Sequence, residues 1–205
     1  WGIVTVVITR TPFRVSFFGG GTDYPAWFRE HGGAVVSCSI NRYCYIMARH
    51  LPQFFDLKHR IVWSKIEQVD RIDQIEHPAV RAVFQEHAID TGMEIHHQGD
   101  LPAKSGIGSS SAFSVGLIHA MHSLQGRMRS KEQLTAEAIH LEQNVLQENV
   151  GIQDQIAAAH GGLNLLEFDQ GGAISVRPVS LPASKISKFQ DHMLLFYTGI
   201  SRFSS

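Results

Sequence analysis

One stretch restricts what this chain can fold into more than any other: Leu101-Pro102-Ala103-Lys104-Ser105-Gly106-Ile107-Gly108-Ser109-Ser110-Ser111-Ala112. Two glycines flank one apolar residue and three hydroxyls follow. A helix is predicted from there, over Ser109–Leu124, with Phe113, Leu117, Ile118, Met121 and Leu124 on one face. Glycine lets successive backbone N–H groups turn toward one point, and a helix N-terminus adds partial positive charge, so the segment suits a polyphosphate. A serine hydroxyl beside it can ligate Mg²⁺. No G-K-[ST] closes the stretch, so it is not a Walker A loop. Its spacing is wrong for a Rossmann turn, and no strand closely precedes it. On composition alone, a flexible Gly/Ser loop ahead of a helix is the competing reading.

The surrounding pattern places strands first and helices after. Residues 3–9 and 13–18 read as strands. Residues 25–31 read as a short helix, with Thr22 or Asp23 as its cap and Gly32 just past its end. Residues 34–40, 43–49 and 61–64 are β-rich. Residues 78–89 open with a proline and carry Val80, Val83, Phe84 and Ala88 at helical spacing; residues 93–97 read as one more strand. Ser130 with Gln133 forms a capping box for a helix to about residue 147, its inward stripe being Leu134, Ala138, Leu141 and Val145. Residues 153–160 form a third helix, closed by Gly161-Gly162, and residues 163–168, 174–177 and 193–197 return to strand. This order predicts α+β layering rather than a doubly wound sheet.

Composition excludes several functions. The chain has 205 residues, 43% hydrophobic and 18% charged, which fits a globular domain with a real core. A net charge of -1 leaves no electrostatic footprint for nucleic acid. The first apolar run is too short to span a bilayer. Twelve histidines are scattered without H-E-x-x-H or Cys/His spacing, so no transition-metal site is expected. Cys38 and Cys44 give no disulfide framework and point to a reduced, cytoplasmic chain. The chain opens on Trp1 rather than Met and stops at Ser205 directly after an apolar run, which suggests a fragment or shortened form.

The loop Pro102-x-x-x-Gly106-x-Gly108-Ser109-Ser110 is similar to the phosphate-binding motif of the GHMP kinases, P-x-x-x-G-L-G-S-S-A, with Ile107 for Leu and Ser111 for Ala. Two further blocks agree, in family order. Thr11-Pro12-Phe13-Arg14-Val15-Ser16-Phe17-Phe18-Gly19-Gly20-Gly21-Thr22-Asp23-Tyr24 resembles the first motif: a basic residue on a strand, a glycine turn, then an acid. A short carboxylate on a turn can accept hydrogen bonds from sugar hydroxyls, although Asp23 also reads as a plain helix cap. Galactokinase-like chains carry G-E-H where Gly19-Gly20-Gly21 stands here, and the run resembles instead the D-glycero-D-manno-heptose 7-phosphate kinases and their fucokinase relatives. The third block runs from Glu142 through Glu148 and Gly151 to Asp154 and Gln155.

The resemblance implies a GHMP kinase N-terminal domain (ribosomal protein S5 domain 2-like) over residues 1–190, with 191–205 opening a truncated C-terminal domain. It implies ATP and Mg²⁺ as cofactors and a sugar or sugar phosphate as substrate. Phosphates would be held by Pro102, Lys104, Ser105, Gly106, Ile107, Gly108, Ser109, Ser110 and Ser111. Substrate would be held by Gly20, Gly21, Thr22, Asp23 and Tyr24, and Mg²⁺ by Ser110 and Glu142. Glu142 is preferred over Glu148 because its distance from Gly151 matches the family. Asp154 would act as base and Arg14 would neutralise charge. Arg10, Arg42, Lys104 and Arg202 are candidates for a remote phosphate. Thr198-Gly199-Ile200-Ser201-Arg202 also looks like the heptose kinase group. Nothing matches the family's third glycine-rich motif, so a catalytically silent nucleotide-binding fragment is the alternative. A homodimer stays open.

Overall fold

The computed structural model describes residues 6–103, 105–194 and 196. Its organising element is β2 (Gly33–His50), a strand of 18 residues. Along one edge β2 pairs antiparallel with β1 (Val6–Phe18). The other edge is divided: residues 33–38 take β6 (Leu163–Phe168) and residues 44–50 take β5 (Met93–Gly99), both antiparallel. Beyond β5, β3 (His59–Val62) runs parallel and β4 (Ile66–Val69) antiparallel. Beyond β6, β7 (Ile174–Pro178) completes a seven-stranded mixed sheet.

α3 (Ser109–Leu124) packs on β1 and β2, and touches α2 (Pro78–Glu86), α4 (Lys131–Ile139) and α5 (Gln153–His160). Phe13, Ile46, Phe84, Ile95, Leu117, Met121 and Leu141 fill the main core, each contributing about 1.5–3 kcal/mol by leaving water. Gly116 lets α3 lie close to the sheet. The Thr9 hydroxyl donates to its carbonyl at 2.9 Å, and a Cβ there would stand 2.8 Å from Thr11 Oγ1. A smaller core of Phe28, Val35, Ile152, Ile156, Leu166 and Phe168 seats α1 (Pro25–His31) and α5 against β2 and β6.

The α+β reading holds, and α1, α3, α5 and β6 have the expected bounds. Several details differ. The two expected strands of the first hairpin arm are one, as are 34–40 and 43–49, because β-bulges carry the pairing across Pro12/Arg14 and Ser16/Phe18. Neither Thr22 nor Asp23 caps α1: Tyr24 is its N-cap, and the other two side chains are engaged elsewhere. The helix from Ser130 keeps its capping box but ends at Ile139, running into a π-helical turn, His140–Val145, that leaves Val145 exposed. β4 and an exposed helix, α6 (Ala183–Asp191), were not anticipated. Met193 and Leu194 are not strand. Residues 1–5, 195 and 197–205, including the start of the first expected strand and Thr198 to Arg202, lie outside the described residues.

Candidate active site

A tight turn joins β1 to α1. The Thr22 backbone N–H and hydroxyl both donate to the Gly19 carbonyl, at 3.0 and 2.8 Å, while the hydroxyl also bridges the Ala34 backbone. Gly19 has φ 83° and lies so close to β2 that a Cβ would fall 1.8 Å from the Ala34 carbonyl oxygen, so only glycine fits. The turn delivers Asp23, 1% exposed, to the start of α5. Its carboxylate accepts from the Gly21 N–H at 3.0 Å and from the Gln153 N–H and side-chain amide, both at 3.1 Å. Gly151 closes this cradle, since a Cβ there would stand 1.9 Å from Asp23 Oδ2.

The glycine-rich loop meets β1 where its register with β2 shifts. Where the register shifts between Pro12 and Arg14, the Arg14 N–H leaves the ladder and donates to the Ile107 carbonyl at 3.1 Å. The Arg14 guanidinium donates to the Gly106 carbonyl at 2.8 Å and to Asp154 Oδ1, with Nε at 2.7 Å and Nη2 at 2.6 Å. Both arginine donors thus take one carboxylate oxygen. The other, Oδ2, turns toward Gly108, where a Cβ would sit 3.3 Å from it. Gly108 is the N-cap of α3 in the left-handed region (φ 72°), and no acidic residue occupies the helix's first turn. The N-terminal amides of α3 therefore open beside this ion pair with no acidic residue in their own first turn, a setting that favours an anion. Burial pushes the Asp154 carboxyl up and nearby Asp23 adds to that, while Arg14 pulls it back down.

The third wall is the π-turn. Local π geometry turns Glu142 inward to 1% exposure, where its Oε2 accepts from the Ser111 hydroxyl at 2.9 Å and from the Gln155 side-chain amide. Its Oε1 is buried without a hydrogen-bond partner. Burial pushes this carboxyl up to about 7, partly opposed by the Ser114, Ser111 and Gln155 hydrogen bonds. The chain leaves the π-turn through Gln147, a non-glycine residue at φ 54°, and the Gln143 side chain ties the return by donating to the Val150 carbonyl at 2.7 Å.

The three walls enclose a cleft of about 400 Å³. Arg14, Asp23, Tyr24, Gly106, Gly108, Ser109, Ser110, Ser111, Glu142 and Asp154 all line it. Gly20, Gly21 and Thr22 shape the turn behind Asp23. Ile107 is buried as the loop's anchor, and the Ser105 hydroxyl closes the preceding turn on the Pro102 carbonyl at 2.7 Å. Lys104 lies outside the described residues. The hydroxyl that touches Glu142 is that of Ser111, while Ser110 is exposed at the cleft. Glu148, whose carboxyl burial also pushes up, lines the same cleft. Arg10 stacks on Tyr43, and Arg42 bonds Asn41. Sequence reasoning gave no role to Gln153 and Gln155, which position two of the three acids. A glutamine inside a helix carries no local signal of such a task.

The fold has parallels among known proteins. Residues 74–162 match the family described as GHMP kinases N terminal domain. The crystal structure of a D-glycero-D-manno-heptose 1-phosphate kinase from Bacteroides thetaiotaomicron superposes with a TM-score of 0.80 at 23% identity, covering 89% of this chain and 62% of that one. Residues 74–162 thus resemble a GHMP kinase N-terminal domain, and the fold is shared with that heptose kinase structure. The D-glycero-alpha-D-manno-heptose 7-phosphate kinase of Campylobacter jejuni subsp. jejuni is 27% identical over 203 residues, covering 95% of this chain and 60% of the relative. The L-fucokinase/L-fucose-1-P guanylyltransferase of Bacteroides fragilis is 26% identical over 230 residues, covering 96% of this chain and 24% of the relative. The chain therefore spans less than two thirds of the length of these relatives. Among the described residues, no helix is long and apolar enough to cross a membrane.

Proposed function

We propose that this cleft is the catalytic site of an ATP-dependent sugar kinase that transfers the γ-phosphoryl group to a hydroxyl of a sugar phosphate, D-glycero-D-manno-heptose 7-phosphate first, acting in the cytoplasm. One observation carries the reading. The glycine-opened N-terminus of α3, the Arg14–Asp154 pair and the buried Glu142 face a single cavity. Residues 1–190 form the nucleotide- and substrate-binding domain in this reading, and 191–205 begin the next.

Phosphoryl transfer asks a protein mainly for positioning and charge neutralisation. Backbone amides from Gly106 to Ser111 bind the phosphates. Asp23, held rigid by three N–H donors, orients the sugar. Asp154 accepts the proton of the attacking hydroxyl through Oδ2, the oxygen that Arg14 leaves free. Arg14 opposes the upward push of burial on that carboxyl and stabilises charge on the transferring group; a guanidinium cannot itself be the base.

The donor set at Glu142 fits Mg²⁺: an unpartnered, buried carboxylate oxygen with hydroxyls at the same cavity is hard-cation chemistry. Glu142 with Ser110 or Ser111 would hold the ion, which supplies neutralisation of phosphate charge. Ser110→Ala and Ser111→Ala separate the two hydroxyls. The one whose loss raises the Mg²⁺ requirement is the ligand.

A fucokinase-like reading has its own support. Among the described residues lining the cleft, Arg14 is the sole cation, and a remote phosphate needs more than that. Coupled ADP release over D-glycero-D-manno-heptose 7-phosphate, L-fucose and galactose tests both readings. Release with the heptose phosphate alone supports the first, and release with fucose the second. ATP–Mg²⁺ binding without release for any sugar would mark a silent module.

A further inference from the structure

The far end of α3 carries a second cluster that the phosphate chemistry does not use. His87 at the C-terminus of α2, His122 in the last turn of α3 and Glu137 in α4 bring one ligand atom each within 4.8 Å of one another. At 1.5 Å per residue along α3 the cluster lies about 20 Å from the Ser109 end. Scattered sequence positions hide it, because each ligand comes from a different helix.

Its chemistry is specific. The His122 ring is 96% buried at the side chain, and Nε2 meets Glu137 Oε2 at 2.5 Å. The other ring nitrogen, Nδ1, is buried without a partner, so only what Nε2 touches orients this ring. The His87 ring lies 4.6 Å from it, edge to face. Gln125 grips His87 twice: its amide oxygen stands 3.3 Å from Nδ1 and its amide nitrogen donates to the His87 carbonyl at 3.3 Å. An amide oxygen can only accept, so Nδ1 carries the proton and Nε2 keeps its lone pair. This is the outer contact that orients a metal-ligating histidine.

We propose that His87, His122 and Glu137 form a transition-metal site, suited to Zn²⁺, that staples α2, α3 and α4 together. Two imidazoles and one carboxylate are a Zn²⁺ ligand set rather than a Mg²⁺ one, and leave a fourth position for water. The Arg129 guanidinium lies against the same ligand atoms. Its Nε forms an ion pair with Glu137 Oε1 at 3.0 Å and lies 3.2 Å from His122 Nε2. Arg129 sits in the short connection between α3 and α4 with its side chain partly exposed, so it can withdraw. Binding therefore exchanges a guanidinium for the ion, and the proton between His122 and Glu137 leaves to solvent.

Titrating untagged protein with ZnCl₂ by calorimetry tests this, with Co²⁺ absorption reporting coordination. One saturable Zn²⁺ per chain is expected, unaffected by millimolar Mg²⁺ and accompanied by a higher Tm. His87→Ala and Glu137→Gln, both at the partly exposed rim, should weaken binding at least about tenfold, and Arg129→Gln should tighten it. Glu142→Gln in the cleft should leave the Zn²⁺ affinity of this cluster unchanged. Absence of saturable binding overturns the proposal. So does equal affinity in His87→Ala and Glu137→Gln, which would assign the ion to other histidines.

Discussion

Asp154 and Glu142 face each other across one cleft, yet the chain treats them differently. On the α5 wall, Asp154 meets its own guanidinium at 2.6 Å, and Asp23 beside it collects three N–H donors. On the π-turn wall, Glu142 meets serine hydroxyls and an amide, and its Oε1 has no hydrogen-bond partner. Burial pushes both carboxyls up. Arg14 opposes it for Asp154, whereas neutral hydrogen bonds alone oppose it for Glu142, which reaches about 7. A wall that carries its own countercharge is ready before any ligand arrives. A wall that lacks one is completed by a cation from solution.

The hardest blow to this contrast is Asp154→Asn. Under the proposed function turnover falls by about 10²–10⁴-fold with ATP affinity nearly intact, read by coupled ADP release. Near-normal turnover would take Asp154 out of the chemistry. On the same wall, Gly151→Ala drives a methyl to 1.9 Å from Asp23 Oδ2. A loss of roughly 1–3 kcal/mol of stability is expected by denaturant unfolding, together with weaker sugar binding. A neutral result would mean the cradle is soft.

On the opposite wall, Glu142→Gln raises the Mg²⁺ concentration for half-activation at least about tenfold, while ATP still binds. The sign of its pH dependence follows from the raised carboxyl. Between the unfolded value of 4.5 and about 7, the folded state holds more protons, so this group's contribution to stability falls as pH rises through that window and is level above it. Mg²⁺ affinity should weaken as pH drops below about 7, because the ion competes with the proton. A Mg²⁺ titration flat from pH 6 to 8 would refute that linkage. Away from both walls, Ser130→Ala removes the α4 capping box and should cost about 1 kcal/mol of stability, leaving Mg²⁺ dependence unchanged.

How much of this was legible in the sequence follows from where each signal resides. α3 and α5 announce themselves locally, through Gly108 ahead of three serines and through Gly161-Gly162 behind His160. The merging of strands across Pro12 was not legible, since a proline reads as a break until a bulge is seen to carry the pairing past it. β4 was missed because its buried member is Glu67. This acid is paid for by the Trp63 indole and the backbone N–H groups of Glu76 and His77, which no alternation pattern reveals. Among the site residues, the loop and the acids could be singled out by resemblance. The assignment of a glutamine to each buried acid depends on how α5 lies against the β1–α1 turn and the π-turn, and that is tertiary information.

The side-chain alternation of β1 has an arithmetic consequence. Side chains alternate faces along a strand, and here Phe13 enters the core while Arg14 enters the cleft. Deleting one residue upstream of Arg14 while the pairing before the deletion is kept would exchange those faces, sending an aromatic ring into the phosphate loop and a cation into oil. The parity of a single strand thus separates a working cavity from a misfolded one.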